Sequence, residues 1–468
     1  MAAVALVTVR PGGGPWDNPS PMTAPAPAPD DAGELPASSL AGWLAAPCPG
    51  VSGLAAGGLA ALLAEIGEPR YRADQVAAAV WRSPAGSWDE VTTLAKPVRA
   101  ELARRLRFDT VADTEIRPAD DGQTEKALHR LADGRLVESV LMCYPARGER
   151  RERATLCISS QAGCAVGCPF CATGELGAGR DLEVAEIVDQ VRHAARRLAA
   201  RGRHLTNLVF MGMGEPLLAL DAVLEAAAIL TDPARFGLGA RHLAISTSGV
   251  VPGIERLAAL RPRWTLAVSL HAARDPLRDL LVPLNRRWPV AAVVAAASAY
   301  QAVTGRRVSY EHVLIDGIND TPTDAAALAR LLAGRGSHVN LIPMNPVAHT
   351  PWRASSPERV AAFAARVRAA GIVVTVRRNR GQEVGAACGQ LVAERSGEPA
   401  PEAVARRQDR LLAASAAALR SAGGRPSADD SRGRRSLRGG LEAPGGGAVA
   451  ADPARWTRER RRHGARTD

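Results

Sequence analysis

The run CAVGCPFCATG, from Cys164 to Gly174, sets three thiols at spacings of four and three residues. Thiols packed this closely along a chain are suited to holding a metal or a cluster. A structural zinc site wants four ligands, usually from two well-separated pairs. No second CxxC pair follows, although Cys157 or Cys388 could complete a four-thiolate set. An iron–sulfur cluster fits the run better, because cysteine thiolates hold such clusters and three of them leave one iron open to an external ligand. The loop is rich in Gly and Ala, so its backbone can approach a cubane closely. Phe170, just before the last cysteine, is placed to shield one face of it.

A second motif, MGMGEPLL at 211–218, follows an apolar strand-like run. Gly214 offers close backbone approach and Glu215 a carboxylate acceptor, although Gly-Glu-Pro alone is also an ordinary turn before a helix. The elements that would position both motifs are strands alternating with amphipathic helices. HLTNLVFMG, HLAISTS, TLAVSLH, RVSYEHVLI, HVNLIPM and GIVVTVRR read as strands, with DLEVAEIVDQVRHAARRL and DAAALARLLAGR among the helices between them. That rhythm predicts βαβ units and a parallel sheet or barrel. The strands end in polar or small residues: Gly214-Glu215, Ser246-Thr247-Ser248, Ser269-Leu270-His271, Glu311-His312 and Asn345. In βα barrels the chemistry sits at these carboxyl ends, so their recurrence points to an enzyme.

The 468 residues divide by composition. Residues 1–51 are rich in Ala, Pro and Gly without a sustained period and are expected to be a disordered extension. Residues 52–125 open with helical spacing and predict a small helical accessory domain. Residues 126–398 carry the βα pattern, and 399–468 form an Arg-rich tail expected to be disordered, with a short helix near Arg407–Ser421. The net charge of +11 is concentrated in that tail, where fifteen Arg face eight acidic residues over 401–468. Whole-chain charge is therefore weak evidence for a nucleic-acid partner, and RERRRHGAR near the end reads first as a solvated run. Seven cysteines, odd in number and clustered, argue against a secreted disulfide framework and for a reducing, cytoplasmic setting. The first residues lack a basic signal-peptide start, and no run approaches the ~18 apolar residues of a membrane span.

In order along the chain, RATLCISSQAGCAVGCPFCATG, MGMGEPL, ISTSGVVPGI, AVSLHA, LVPLNRR, NLIPMNP and AACGQL resemble the radical S-adenosylmethionine (radical SAM) adenine carbon-2 RNA methyltransferases. The resemblance covers about 52–395 and implies a partial (β/α) TIM-type barrel with a small N-terminal helical domain. It implies that Cys164, Cys168 and Cys171 hold a [4Fe-4S] cluster, and that Gly214, Glu215, Ser246, Ser269, Leu270, His271 and Asn345 contact S-adenosylmethionine. Glu215 would accept from the methionyl ammonium. Cys388 matches the cysteine that is itself methylated, Cys157 the one that resolves the protein–RNA adduct, and Glu138 in RLVESVLM the proton acceptor. The stretch between Glu138 and Cys157 is longer than is typical of the family.

The chemistry implied is methylation of carbon 2 of an adenine in 23S rRNA and in tRNA. Two S-adenosylmethionine molecules would be used per turnover, one methylating the Cys388 thiolate by displacement and one supplying a 5′-deoxyadenosyl radical. Attack by Cys157 on the Cys388 sulfur would release product as a disulfide forms, and external reductant would restore both thiols. An external electron donor of flavodoxin or ferredoxin type, no membrane and a monomeric state complete the expectation. The related carbon-8 adenine methyltransferases share the two-cysteine mechanism. From another class, a zinc-stabilised RNA-binding module remains an alternative.

Overall fold

The computed structural model describes residues 48–422, apart from 83–84, 147, 149–150, 378–380, 382–384, 387–388 and 391–400. Most of the N-terminal extension, the tail beyond 422 with its RERRRHGAR run, and Cys388 thus lie outside the described residues. The described residues from Cys48 onward belong to one compact unit. Residues 48–51, assigned to the extension, already belong to the fold. Val51 N donates to Arg107 O at 2.9 Å, and Gly50 packs so tightly that a Cβ there would lie 2.4 Å from Ala185 Cβ.

Three helices follow: α1 (Gly58–Glu65), α2 (Tyr71–Trp81) and α3 (Lys96–Arg105). Gly67, at φ +77°, turns the chain between the first two. Trp88 anchors this segment, its indole N–H donating to Leu106 O at 2.9 Å and its ring meeting Phe108 edge-on at 5.0 Å.

One sheet of ten strands then runs in chain order: β1 (Val111–Ala119), β2 (Thr124–Leu131), β3 (Leu136–Tyr144), β4 (Arg153–Cys157), β5 (Asn207–Phe210), β6 (Leu243–Thr247), β7 (Thr265–Ser269), β8 (Ser309–Leu314), β9 (His338–Pro343) and β10 (Val373–Val376). The first four pair antiparallel, and β4 to β10 pair parallel. All six strands expected from the sequence are present. The sheet, however, begins at Val111, ahead of the boundary expected near 125. VADTEIRPA in β1 lacks an apolar alternation because most of the strand is exposed or half-buried, which removes the pattern that reveals a strand.

Between strands lie α4 (Ala172–Leu176), α5 (Val184–Ala199), α6 (Leu220–Thr231), α7 (Val251–Leu260), α8 (Asp275–Leu281), α9 (Val290–Thr304), α10 (Pro322–Leu332) and α11 (Pro357–Ala369). The start of α5 is set by a reciprocal capping box between Glu183 and Glu186. Fully buried Val188, Val191, Val223, Ile254 and Val293 on these helices pack against Leu208, Ile245, Leu266 and Leu341 on the strands. This single core fixes the outer face of the sheet and leaves the inner face to the site.

The expected disordered tail is corrected over its first part. A helix of 21 residues, α12 (Pro401–Ser421), stands there, longer than the short helix expected and docked on the barrel. Half-buried Arg407, Gln408 and Leu411 and buried Ser415 recur at helical spacing along one side. Trp352 Nε1 donates to Ser415 Oγ at 3.2 Å, and Leu411 joins the apolar cluster that includes Val166, Leu277 and Leu281. Its Ala-rich sequence concealed that face, since the packing stripe is carried largely by polar residues. Among the described residues no helix is long and apolar enough to cross a membrane.

Candidate active site

At the carboxyl ends of the parallel strands lies a cavity enclosing about 970 Å3 of empty space, part of it open to solvent. Met211 after β5, Ser246 of β6, Ser269 of β7, Glu311 and Val313 of β8, Met344 after β9 and Arg377 after β10 all line it. Side chains from six successive strands can face one cavity only if the sheet curls around it, the arrangement of a partial barrel. Cys164, Cys168 and Cys171 close the same cavity.

Glycines shape the cysteine loop. Gly163 has φ +130°, and a Cβ there would come 2.8 Å from Gly177 O. At Gly174 a Cβ would meet Cys168 O at 2.7 Å, closer than side chains tolerate. Cys164 N donates to Gly177 O at 2.8 Å and Cys171 N to Cys168 O at 3.0 Å, which folds the loop back on itself. Phe170 meets the His271 ring edge-on at 4.8 Å, tying the loop to the end of β7.

The donor set suits a cluster. The three thiols lie around one cavity, while among the described residues no three His, Cys, Asp or Glu gather into a group able to hold a single metal ion. Burial pushes the Cys164 thiol up to about 12, and burial, with the neighbouring Cys171 and Cys164, also raises the Cys168 thiol well above its usual value. Such buried thiols ionise only against a strong positive partner, and iron supplies one.

The strand-end residues are organised by buried polar contacts. Glu215 is buried, and its carboxylate accepts from Ser248 N at 2.6 Å, Ser248 Oγ at 2.7 Å and Leu217 N at 3.1 Å. Burial nevertheless raises its pKa, outweighing those donors. The carboxylate expected to meet an ammonium is therefore already engaged with the end of β6, although its lone pairs allow further donors. Ser246 Oγ lies 3.4 Å from Ser269 Oγ.

His271 holds φ +59°, a left-handed conformation rare outside glycine and typical of functional positions. Its Nδ1 accepts from Val313 N at 3.0 Å, so Nε2 carries the ring proton in the neutral form. Burial lowers its pKa well below the usual value, with His312 and Arg278 adding to the effect. Asn345 is buried in the cavity wall. Leu270 departs from expectation. Its side chain is fully buried behind the wall, and its carbonyl accepts from Arg278 Nε at 3.0 Å.

Gly214 is required for backbone reasons. It adopts φ +98°, and a Cβ would come 2.6 Å from Gln161 Cβ and 2.8 Å from Gln161 N. Gln161 in turn accepts from Glu215 N at 2.8 Å. Gly214→Ala is expected to lower stability by about 1–3 kcal/mol through backbone strain, read as a lower denaturant midpoint, and to loosen the Glu215 clamp.

Several residues organising this site escaped the sequence reading. Arg278 is fully buried, and its guanidinium donates to the Leu270, Ser248 and Ser269 carbonyls and to Asn285 Oδ1. Asn285, from the LVPLNRR motif, donates in turn to Asp279 Oδ1 at 2.7 Å and Asp275 Oδ1 at 3.0 Å. The motif was visible, but its use as a brace beneath β6 and β7 follows only from the chain's path.

Glu138 and Cys157 lie beside the cavity, not in its wall. Both are buried. Val140 pairs with Cys157 across β3 and β4, and Glu138 stands two residues from Val140, so Glu138 and Cys157 share one face of the sheet. Residues flanking Cys388 are held at two places. Gly381 N donates to Asp120 Oδ2 at 3.1 Å beside β2, and Gly389 O accepts from Ala172 N at 2.7 Å, next to Cys171.

A curled parallel sheet with a three-thiol loop at its carboxyl end defines a radical SAM enzyme, and residues 158–329 match the Radical SAM superfamily. A "Probable dual-specificity RNA methyltransferase RlmN" from Frankia alni is 51% identical over 341 residues, covering 71% of this chain and 80% of that protein. Its namesake from Thermobifida fusca is 49% identical over 339 residues, covering 71% and 91%. A crystal structure of a radical SAM methyltransferase from Sphaerobacter thermophilus superposes with a TM-score of 0.71 at 47% identity, covering 74% of this chain and all of that one. The chain belongs to the RlmN family of radical SAM RNA methyltransferases.

Proposed function

We propose that this enzyme adds a methyl group to carbon 2 of an adenine in 23S rRNA and in tRNA. The observation carrying the reading is the shared sheet face of Glu138 and Cys157, beside a cavity that joins three thiols to polar strand ends. The printed names of the relatives, dual-specificity RNA methyltransferases, support it. Cys164, Cys168 and Cys171 would hold a [4Fe-4S] cluster. Gly214, Glu215, Ser246, Ser269, His271, Asn345 and the Leu270 backbone would form the S-adenosylmethionine site. When bound, the cluster and two S-adenosylmethionine molecules supply the electron, the radical and the methyl group.

The chain's residues would do the rest. The Cys388 thiolate accepts the methyl carbon as nucleophile and carries it to the adenine. Glu138 takes the proton lost from carbon 2. Cys157 then attacks the Cys388 sulfur and breaks its bond to the transferred carbon, which keeps the electron pair and takes up a proton to become the methyl group. The RNA is freed, and external reductant reopens the resulting disulfide. The helical segment at 52–125 would help bind RNA, a flavodoxin- or ferredoxin-type donor would supply electrons, and the enzyme would act as a cytoplasmic monomer.

Mass spectrometry of rRNA and tRNA nucleosides after deletion and complementation tests the reading. 2-Methyladenosine should vanish and return, and 8-methyladenosine in its place would overturn the carbon-2 assignment. Cys157→Ala should trap a covalent protein–RNA adduct visible on a denaturing gel. Cys388→Ala should lose the added methyl group seen by intact-protein mass spectrometry. An unchanged methyl in Cys388→Ala would remove that residue from the mechanism.

A further inference from the structure

Lys126 is one of only two lysines in a chain whose other 57 basic residues are arginines. It is 4% exposed, and its Nζ lies 3.0 Å from Oε1 of the fully buried Glu138 side chain. Lys126 pairs with Val140, and Glu138 with Leu128, so the two are diagonal neighbours on one sheet face. That face also carries Cys157 through its pairing with Val140. On the opposite face, Glu125 is taken by Arg197 of α5 and by Arg201 just past its end, and His129 by Thr114 and Ser139. The register also brings exposed Asp113, Glu115, Arg130 and Arg153 to the Glu138 side, with half-buried Arg117, which pairs with Glu115. Among the described residues of these strands, Lys126 and Cys157 are thus the buried titratable side chains there. Lys126 also borders the segment leading to Cys388, since a Cβ on Gly385 would lie 3.6 Å from Nζ.

We propose that Lys126 is a positioning residue for the RNA methylation, holding Glu138 ionised and aimed as proton acceptor beside Gly385. The inference rests on the proton-acceptor role given to Glu138 above. A carboxylate removed from water needs a paired charge, and an opposite charge within hydrogen-bonding reach favours its ionised form. A lysine suits the place better than an arginine. Its ammonium is compact and its stem slender, and glycine at 385 leaves room beside it.

Single-turnover methyl transfer to a 23S rRNA fragment, followed across pH in the reconstituted holoenzyme, tests the assignment. In Lys126→Met the acid limb of the rate profile should move up by about 1–3 pH units, the usual effect of losing an adjacent opposite charge. Lys126→Arg should keep the wild-type midpoint. The double variant Lys126→Met/Glu138→Gln should be no slower than Glu138→Gln alone, because both changes act through one carboxylate. It should also melt higher than Lys126→Met, whose buried carboxylate is left without that cation, so a poorly folded single variant still gives a result. A rate lowered by one factor at every pH, an arginine variant shifted like the methionine one, or multiplicative losses in the double variant would each overturn the proposal. Wild-type turnover by Glu138→Gln would instead remove the proton-acceptor role itself, a distinct result read without touching Lys126.

Discussion

Replacing Cys168 by alanine is expected to reduce bound iron and acid-labile sulfide to background and to abolish methyl transfer. This thiol sits between the other two in sequence, and its pKa is raised by burial and by both of its neighbours. Buried thiols of this kind have little use as free groups, and a cluster iron is the partner that draws off their protons. Alanine fits the space, and the loop's backbone bonds, from Cys164 N to Gly177 O and from Cys171 N to Cys168 O, do not use the sulfur. The fold should therefore survive while the cluster is lost. Cys143→Ala is the matched control. Cys143 is also buried, but it lies one residue out of phase with Val140 and Met142 on β3 and so faces away from Cys157. Iron and sulfide analysis after anaerobic reconstitution should show wild-type content for Cys143→Ala. Normal content in Cys168→Ala would overturn the ligand assignment.

The second large effect is expected at Arg278, which belongs to none of the motifs that carry the family resemblance. Arg278→Met should cost about 3–5 kcal/mol of stability, the range for breaking a buried charged network from one side, measured by chemical denaturation. One guanidinium serves the Ser248, Ser269 and Leu270 carbonyls and Asn285 Oδ1, so its loss leaves buried acceptors without donors. Burial draws its pKa down to about 10, opposed by the neighbouring Cys168, Asp275, Asp279 and Glu215. It is still a cation near neutrality. The same residues place Ser269 and His271 in the cavity wall, so the variant should bind S-adenosylmethionine weakly even where it folds. A methionine variant as stable as the wild type would show that the strand ends hold themselves.

How far the sequence reached depended on how local each feature is. The cysteine spacing, the Gly-Glu-Pro turn and six strands with their polar ends could be read directly, because an apolar period and turn chemistry act over a few residues. Strand β1 was missed because its side chains are only partly buried and leave no period. Helix α12 was underestimated because its contact stripe is polar, with Ser415 meeting Trp352 across the fold. Leu270 shows what a sequence motif leaves open. A motif names three consecutive residues, yet side chains alternate across a strand end, and the middle one points into the core.

The sequence alone therefore offered the chemical inventory: three clustered thiols, two further cysteines and a glutamate that the family resemblance singles out, and six of the parallel strands. Only the tertiary structure decided which of these meet. Antiparallel register places Glu138, Lys126 and Cys157 on one face, the curl of the sheet brings six strand ends to one cavity, and Arg278 locks two of them together. Spacing along a chain encodes only what a short segment can do by itself. Pairing between distant segments is selected by burial and by the need to satisfy every buried polar group, and those terms exist only once the chain has closed on itself.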